Sequence, residues 1–283
     1  MDAISNYAAR YVRLREEEMS IDEYLDLCQR DPMAYGSAAE RMLAAIGEPE
    51  MVDTRNDPHL SRLFANKVIR RYPAFAEFYG MEDAIEQVVS FFRHAAQGLE
   101  ERKQILYLLG PVGGGKSSIA ERLKHLMQKV PFYALKGSPV NESPLGLFDV
   151  AEDGPVLEEQ FGIPRRYLQH VLSPWAVKRL EEYGGDIRKF RVVKRYPSIL
   201  KQIAIAKTEP GDENNQDISS LVGKVDIRKL ENFAQDDTDA YSYSGGLCLA
   251  NQGLLEFVEM FKAPIKVLHP LLTATQEGSY NGT

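Results

Sequence analysis

The stretch ILYLLGPVGGGKSSIAERLKHLM, residues 105–127, constrains this chain more than any other. A continuous apolar run ends in glycine. A loop with three consecutive glycines follows, and the next segment carries Ile119, Leu123 and Leu126 on one face. The run reads as a buried parallel strand and the segment after the loop as an amphipathic helix. Between them, Gly110 to Ser117 satisfies GxxxxGKS/T in full, in the strand–loop–helix context that gives the pattern its meaning. Gly113, Gly114 and Gly115 permit backbone conformations closed to other residues. Successive N–H groups can then point inward at phosphate oxygens, and the positive end of the helix adds to the attraction. Lys116 is expected to reach the β- and γ-phosphates, and the Ser117 hydroxyl to ligate Mg2+. A glycine-rich turn with no ligand is the bland alternative, and it weighs little against Lys-Ser in place with correct flanks. No base-reading motif of the NKxD type is present, so ATP is favoured over GTP.

The other half of such a site is a second strand ending in Asp-Glu. Here the counterpart is GGLCLANQG, residues 245–253, which reads as a buried strand ending in Asn251-Gln252. An Asn carbonyl can accept a bond from a magnesium-bound water but brings no charge, and Gln cannot act as a base. An ordinary buried strand with a capping Asn stays open as the alternative. Acids could come from the next segment, LLEFVEMF, which reads as a helix carrying Glu256 and Glu259; solvated or structural roles are commoner for such residues. The candidate catalytic set is Lys116, Asn251, Gln252 and Glu256, with Ser117 and Asn251 as candidate metal ligands.

The rest of the chain bounds this reading. At 283 residues and 44% apolar, it can bury a sizeable core. Residues 1–58 read as a helical N-terminal region: Ser20 to Glu23 fits a capping box before Ile21, Tyr24, Leu25 and Cys28, and a second helix covers Ala38 to Ile46 and stops at Gly47. Residues 59–283 read as the nucleotide-binding domain. Met81, Ile85, Val88 and Phe92 follow helical spacing, and PFYALKG (131–137) is a further strand. A long insert occupies about 138–243, with helices at 164–183, a strand near 190–196, a helix or strand through SILKQIAIA, and an exposed loop at EPGDENNQD. Arg62, Lys67, Arg70 and Arg71 form the most basic stretch, more simply a solvated face than a phosphate contact. The net charge of −7 argues against a dedicated nucleic-acid protein. Cys28 and Cys248 lack CxxC spacing and suggest a reduced, cytoplasmic compartment. The five histidines form no metal pattern, no signal peptide is recognisable, and no apolar run approaches a membrane span.

Several stretches together resemble the bacterial serine protein kinase PrkA family: YPAFAEFYGMEDAIEQVV, QILYLLGPVGGGKSS, GIPRRYLQ, IAIAKTEPGDENNQDISSLVGKVDIRKL and ANQGLLEFVEMFKAPIKVLHPLLTATQEGSYNGT. The likeness runs through essentially the whole chain. It implies an AAA+ fold, a three-layer α/β/α parallel sheet over roughly residues 60–283. It further implies nucleotide binding by Gly110, Pro111, Val112, Gly113, Gly114, Gly115, Lys116, Ser117 and Ser118, and adenine contact by Tyr79, Gly80 and Met81. The family pattern also has Asn-Gln at the second strand. ATP and Mg2+ are the implied cofactors, a protein substrate the implied partner, and self-association a further expectation. Family members are longer, so the sensor strand, arginine finger, helical lid and a kinase-like C-terminal domain are expected beyond Thr283. No HRD or DFG motif is present, so kinase activity is implied by the resemblance alone.

Overall fold

The protein was studied as a computed structural model, which describes residues 5, 11, 16–168, 171–209, 219–231, 233–234, 237–263 and 265–277. The polar loop expected at 209–217 lies outside the described residues from 210 onward, as does the terminal GSYNGT. The chain forms two compact units, Met1–Gly36 with Pro131–Thr283, and Ser37–Val130. Each is taken by itself.

The first unit opens with strand β1 (Glu17–Ser20) and helix α1 (Ile21–Arg30). Ser20 caps α1 as its spacing foretold: its Oγ accepts the Glu23 N–H at 3.2 Å, and the Glu23 carboxylate accepts the Ser20 N–H at 2.7 Å. Ile21, Tyr24, Leu25 and Cys28 fall on one helical stripe, and all four are buried.

The second unit is mainly helical. Helix α2 (Ala38–Ile46) carries its own capping box, Ser37 with Glu40, and ends at Gly47 in the left-handed region with φ 79°. Strand β2 (Glu50–Asp53), helix α3 (Pro58–Phe64) and strand β3 (Val68–Arg71) follow, with β2 and β3 antiparallel. Helices α4 (Glu82–Ala96) and α5 (Lys116–Met127) complete it, and α2 packs against both. Met42, Ile46, Ile85, Val88, Val89, Ala95, Ile119, Leu123, Leu126 and Met127 are buried apolar side chains on α2, α4 and α5.

Ile105–Leu109 departs from expectation. The run is not a strand, and Leu109 is 82% exposed. Its composition suits a strand buried on both faces, but a strand exists only where a neighbour takes up its N–H and C=O groups. No sheet among the described residues includes this segment.

The first unit resumes with strand β4 (Phe132–Leu135), helices α6 (Gly154–Phe161) and α7 (Pro174–Glu182), and strand β5 (Arg191–Arg195). Sheet order is β1-β5-β4, all antiparallel. Tyr133 and Leu135 of β4, Val192 of β5 and the apolar stripe of α1 share one core with Leu145, Leu157, Ile163 and Leu168. On the solvent side, Glu16, Glu17 and Glu18 pair with Arg195, Lys194 and Arg191 across the β1–β5 edge. The N-terminal region is therefore not wholly helical: residues 17–20 belong to a sheet completed from beyond residue 130.

Strand β6 (Ile205–Thr208), the short helix α8 (Ser219–Val222), strands β7 (Lys224–Val225) and β8 (Tyr241–Ser242), helix α9 (Gly246–Ala250), strand β9 (Leu254–Phe257) and helix α10 (Ile265–Glu277) finish the chain. The one parallel pairing among the described residues is β6 with β9, Ile205 opposite Leu254 through Thr208 opposite Phe257. The protein thus mixes α and β elements, but its sheets are small and mostly antiparallel. The three-layer parallel sheet is not formed among the described residues.

GGLCLA is also not the expected strand. Residues 246–250 are helix α9, and the strand comes after Gly253 as LLEF. Conversely, LLEFVEMF, read as a helix, places Glu256 on a strand. Apolar runs this short carry no period that separates the two states. Backbone contact decides them: a Cβ at Gly253 would lie 1.6 Å from the Ala204 carbonyl oxygen, so only glycine admits β9 beside the residues leading into β6.

Candidate nucleotide site

The phosphate loop belongs to the second unit. Gly113 and Gly115 take the left-handed region, with φ 80° and 77°. The Gly114 N–H donates to the Pro111 carbonyl at 3.1 Å and closes the turn. Gly115 is the N-cap of α5, and its carbonyl accepts the Ile119 N–H at 2.9 Å. Twelve residues of helix therefore begin at Lys116, where the first-turn N–H groups have no intrahelical partner and carry the positive end of the dipole.

The Lys116 ammonium folds back over the loop. It donates to the carbonyls of Gly110 at 2.5 Å and Pro111 at 2.6 Å. These are neutral acceptors, so an anion in the loop would offer the cation a stronger partner. Ser117 and Ser118 are exposed, as are Gly110, Pro111, Val112 and Gly113. A Cβ at Gly113 would meet nothing within 4 Å, so the space above the loop is open. The residues present suit a polyphosphate.

Tyr79, Gly80 and Met81 lie at the start of α4 in the same unit. Tyr79 is 80% exposed, Gly80 has φ 75°, and Met81 is the N-cap of α4. Met81 meets the phosphate loop: a Cβ at Gly115 would stand 3.0 Å from its sulfur and 3.2 Å from its methyl carbon. Gly115 is thus favoured by its φ, and any larger residue there would also press on the Met81 side chain.

Within the basic stretch, Arg70 is engaged locally. Arg70 pairs with Glu86 at 2.7 Å, Glu86 accepts the Tyr72 hydroxyl at 2.6 Å, and Arg93 donates to Tyr72 at 3.1 Å. Burial would raise the Glu86 carboxyl; the Tyr72 hydrogen bond and the arginines outweigh it and hold it below its usual value.

Asn251, Gln252 and Glu256 belong to the first unit. Asn251 is the C-cap of α9; its amide donates to the Val140 carbonyl at 2.8 Å, and its Oδ1 accepts the Gln252 N–H at 3.0 Å. Gln252, at φ 59°, donates to the carbonyls of Tyr133 at 3.0 Å and Asn141 at 2.6 Å. Both amides therefore fasten the turn before β9 to β4 and the loop after it. They precede the parallel strand rather than end it. Past the carboxyl end of β9 stands Glu259, at φ 52° and 2.9 Å from Lys262. Ligands of parallel sheets gather at such ends. Glu256 lies within β9, opposite Lys207.

The sequence reading missed three features here. These are the Met81–Gly115 contact, the backbone bonds of Gln252, and the buried Glu142 carboxylate, which accepts from Ser138 Oγ at 3.0 Å, Ser173 Oγ at 2.7 Å and the Ser173 N–H at 2.9 Å. Each joins residues distant in sequence or differing in element, and no local pattern marks them. Among the described residues, no group of three or more His, Cys, Asp or Glu is placed to hold a metal ion. Among the described residues, no helix is long and apolar enough to cross a membrane.

Comparison with known proteins adds a separate line. A family model described as the PrkA AAA domain matches residues 19–283. A protein named serine/threonine kinase YeaG, from Escherichia coli strain K12, is 70% identical over 287 residues, covering 100% of this chain and 45% of that relative. A protein of the same name from Escherichia coli O157:H7 matches to the same extent. A Bacillus subtilis strain 168 protein named ATP-dependent protease PrkA is 34% identical over 291 residues, covering 98% of this chain and 43% of that relative. The chain spans less than half the length of these relatives. No solved structure matches.

Proposed function

The chain belongs to the PrkA AAA-domain family, and from that premise we propose that it binds ATP with Mg2+ and serves phosphoryl transfer to serine on a protein substrate. The observation that carries the binding step is the phosphate loop itself: left-handed Gly113 and Gly115, and the Lys116 ammonium resting on neutral carbonyls at a helix N-terminus. Backbone N–H groups of the loop would hold the phosphates, Lys116 would exchange its carbonyl partners for phosphate oxygens, and the Ser117 hydroxyl would hold the metal. Mg2+ would supply charge neutralisation between the phosphates. Tyr79, Gly80 and Met81 would border the base. Positioning and charge stabilisation of this type account for most of the catalysis in phosphoryl transfer.

The transfer step rests on the name of the Escherichia coli relatives and is tested apart from binding. Titration calorimetry with ATP and Mg2+ reads binding, and Lys116→Ala is expected to weaken it by roughly tenfold or more. Labelled ATP and a protein acceptor, offered to a protein of the relatives' full length, read transfer. Binding without transfer would leave the nucleotide site standing and overturn the kinase reading.

A second reading is favoured by Asn251 and Gln252, whose amides are bonded to backbone carbonyls and bring no acid. Under it, ATP binding governs assembly or a slow hydrolysis, as in a nucleotide-gated scaffold. Sedimentation with and without ATP tests assembly. Phosphate release by Glu256→Gln and Glu259→Gln tests whether either acid serves hydrolysis.

The three-layer parallel sheet is part of the same proposal, with Ile105–Leu109 as one of its strands when nucleotide is bound. Hydrogen exchange of those amides with and without ATP would show it; identical exchange would refute it. Cytoplasmic location is proposed with it.

A further inference from the structure

We infer that Met81 is an oxidation site through which peroxide weakens nucleotide binding at the phosphate loop; this rests on the ATP reading above. The geometry is specific. Met81 is the N-cap of α4, and its carbonyl accepts the Ile85 N–H at 2.9 Å, so the residue is anchored by its backbone. Its thioether lies against Gly115, the N-cap of α5 and the residue before Lys116, with the sulfur 3.0 Å from where a Cβ of residue 115 would be. Met81 is partly exposed, whereas Met42 and Met127 are buried. Met81 is therefore more open to peroxide than those two, and its sulfur lies against the loop.

The step is a two-electron oxidation by hydrogen peroxide. A lone pair of Sδ attacks one peroxide oxygen, the O–O bond breaks as the S–O bond forms, and the departing hydroxide takes the remaining proton as water. The product is a sulfoxide, larger, polar and chiral where an apolar atom stood. Two consequences follow at the loop. The added oxygen needs room beside Gly115, where even a Cβ would stand only 3.0 Å from the sulfur. It is also a strong hydrogen-bond acceptor, placed beside N–H groups that otherwise serve phosphate oxygens. Both effects act on the donors of the anion site and leave the cores of the two units untouched. Methionine sulfoxide reductases reverse the change.

The experiment uses the chain of 283 residues. It is exposed to limited hydrogen peroxide, oxidation is mapped by peptide mass spectrometry, and ATP–Mg2+ binding is measured before and after. Met81 is expected to oxidise ahead of Met42 and Met127, and more slowly with ATP bound. The dissociation constant is expected to rise by roughly tenfold and to return on treatment with the reductases. Met81→Leu, compared only with its own untreated value, is expected to lose this response; Met51→Leu, at a methionine 63% exposed and remote from the loop in sequence, is expected to keep it. An unchanged affinity after full Met81 oxidation overturns the inference, as does an equal response in Met81→Leu. Absence of ATP binding before any treatment overturns both this inference and the function it rests on.

Discussion

A Cβ at Gly253 would stand 1.6 Å from the carbonyl oxygen of Ala204, whose oxygen also accepts the Leu254 N–H at 2.9 Å. No rotation of a side chain relieves that clash, because both partners are backbone. Gly253→Ala is therefore expected to cost more than about 3 kcal/mol, or to prevent the first unit from folding, as read by thermal melting. Its neighbour Gln252 shows the opposite economy of atoms: one amide serves the carbonyls of Tyr133 and Asn141. Gln252→Ala leaves both acceptors short of a donor and is expected to cost about 1–3 kcal/mol in denaturant melts. A Gln252 acting only in chemistry would give no such loss. In the segment GGLCLANQG, the glycines answer to close backbone approach: a Cβ on Gly245 would lie 2.3 Å from the Leu221 oxygen, and one on Gly246 2.6 Å from Thr208 Oγ1.

At the scale of elements, the capped helices followed local rules, PFYALKG and FRVVKRY formed the strands expected of them, and the segments on either side of Gly253 did not match their readings. Both capping boxes formed, at Ser20 with Glu23 and at Ser37 with Glu40, and each helix buries the stripe its spacing marks. Ser37→Ala removes the acceptor of the Glu40 N–H and the partner of the reciprocal bond; a loss of about 1 kcal/mol is expected by thermal denaturation. Ser20 and Ser37 both satisfy the pattern, and only the first was singled out from the sequence. Strand identity answered to partners. FYAL became β4 because β5 lies beside it, whereas ILYLL, the stronger strand former by composition, belongs to no sheet among the described residues.

At the scale of the whole molecule, the first unit buries weak acids under one sheet. Burial pushes the Cys28 thiol and the Tyr133 hydroxyl up to about 12, and pushes the Tyr24 hydroxyl well above its usual value. Their neutral forms are the folded forms. Stability from these groups is complete below the unfolded values, roughly 8.5 for cysteine and 10 for tyrosine, and is lost as pH rises toward the folded values. Melting temperature is thus expected to hold steady to about pH 8 and to fall between about pH 9 and 12, in circular dichroism melts across that range. A flat alkaline limb would show that these hydroxyls and the thiol are not held neutral. Below pH 8, Cys28 is expected to resist thiol reagents until the unit unfolds, since only thiolate reacts.

The sequence by itself determined the phosphate loop, its helix, both capping boxes and most of the helical cores. All of these rest on spacings within a turn or two, where chain connectivity already supplies proximity. Family membership was legible too, because motifs are strings. Only the tertiary structure decided that GGLCLA is a helix and LLEF the parallel strand, that Asn251 and Gln252 bond to backbone carbonyls, that β1 completes a sheet with residues beyond 190, and that Met81 rests on Gly115. Those outcomes turn on which backbone groups meet across tens to hundreds of residues. Hydrogen-bond partners and excluded volume set them, and neither is written in any short window of the chain.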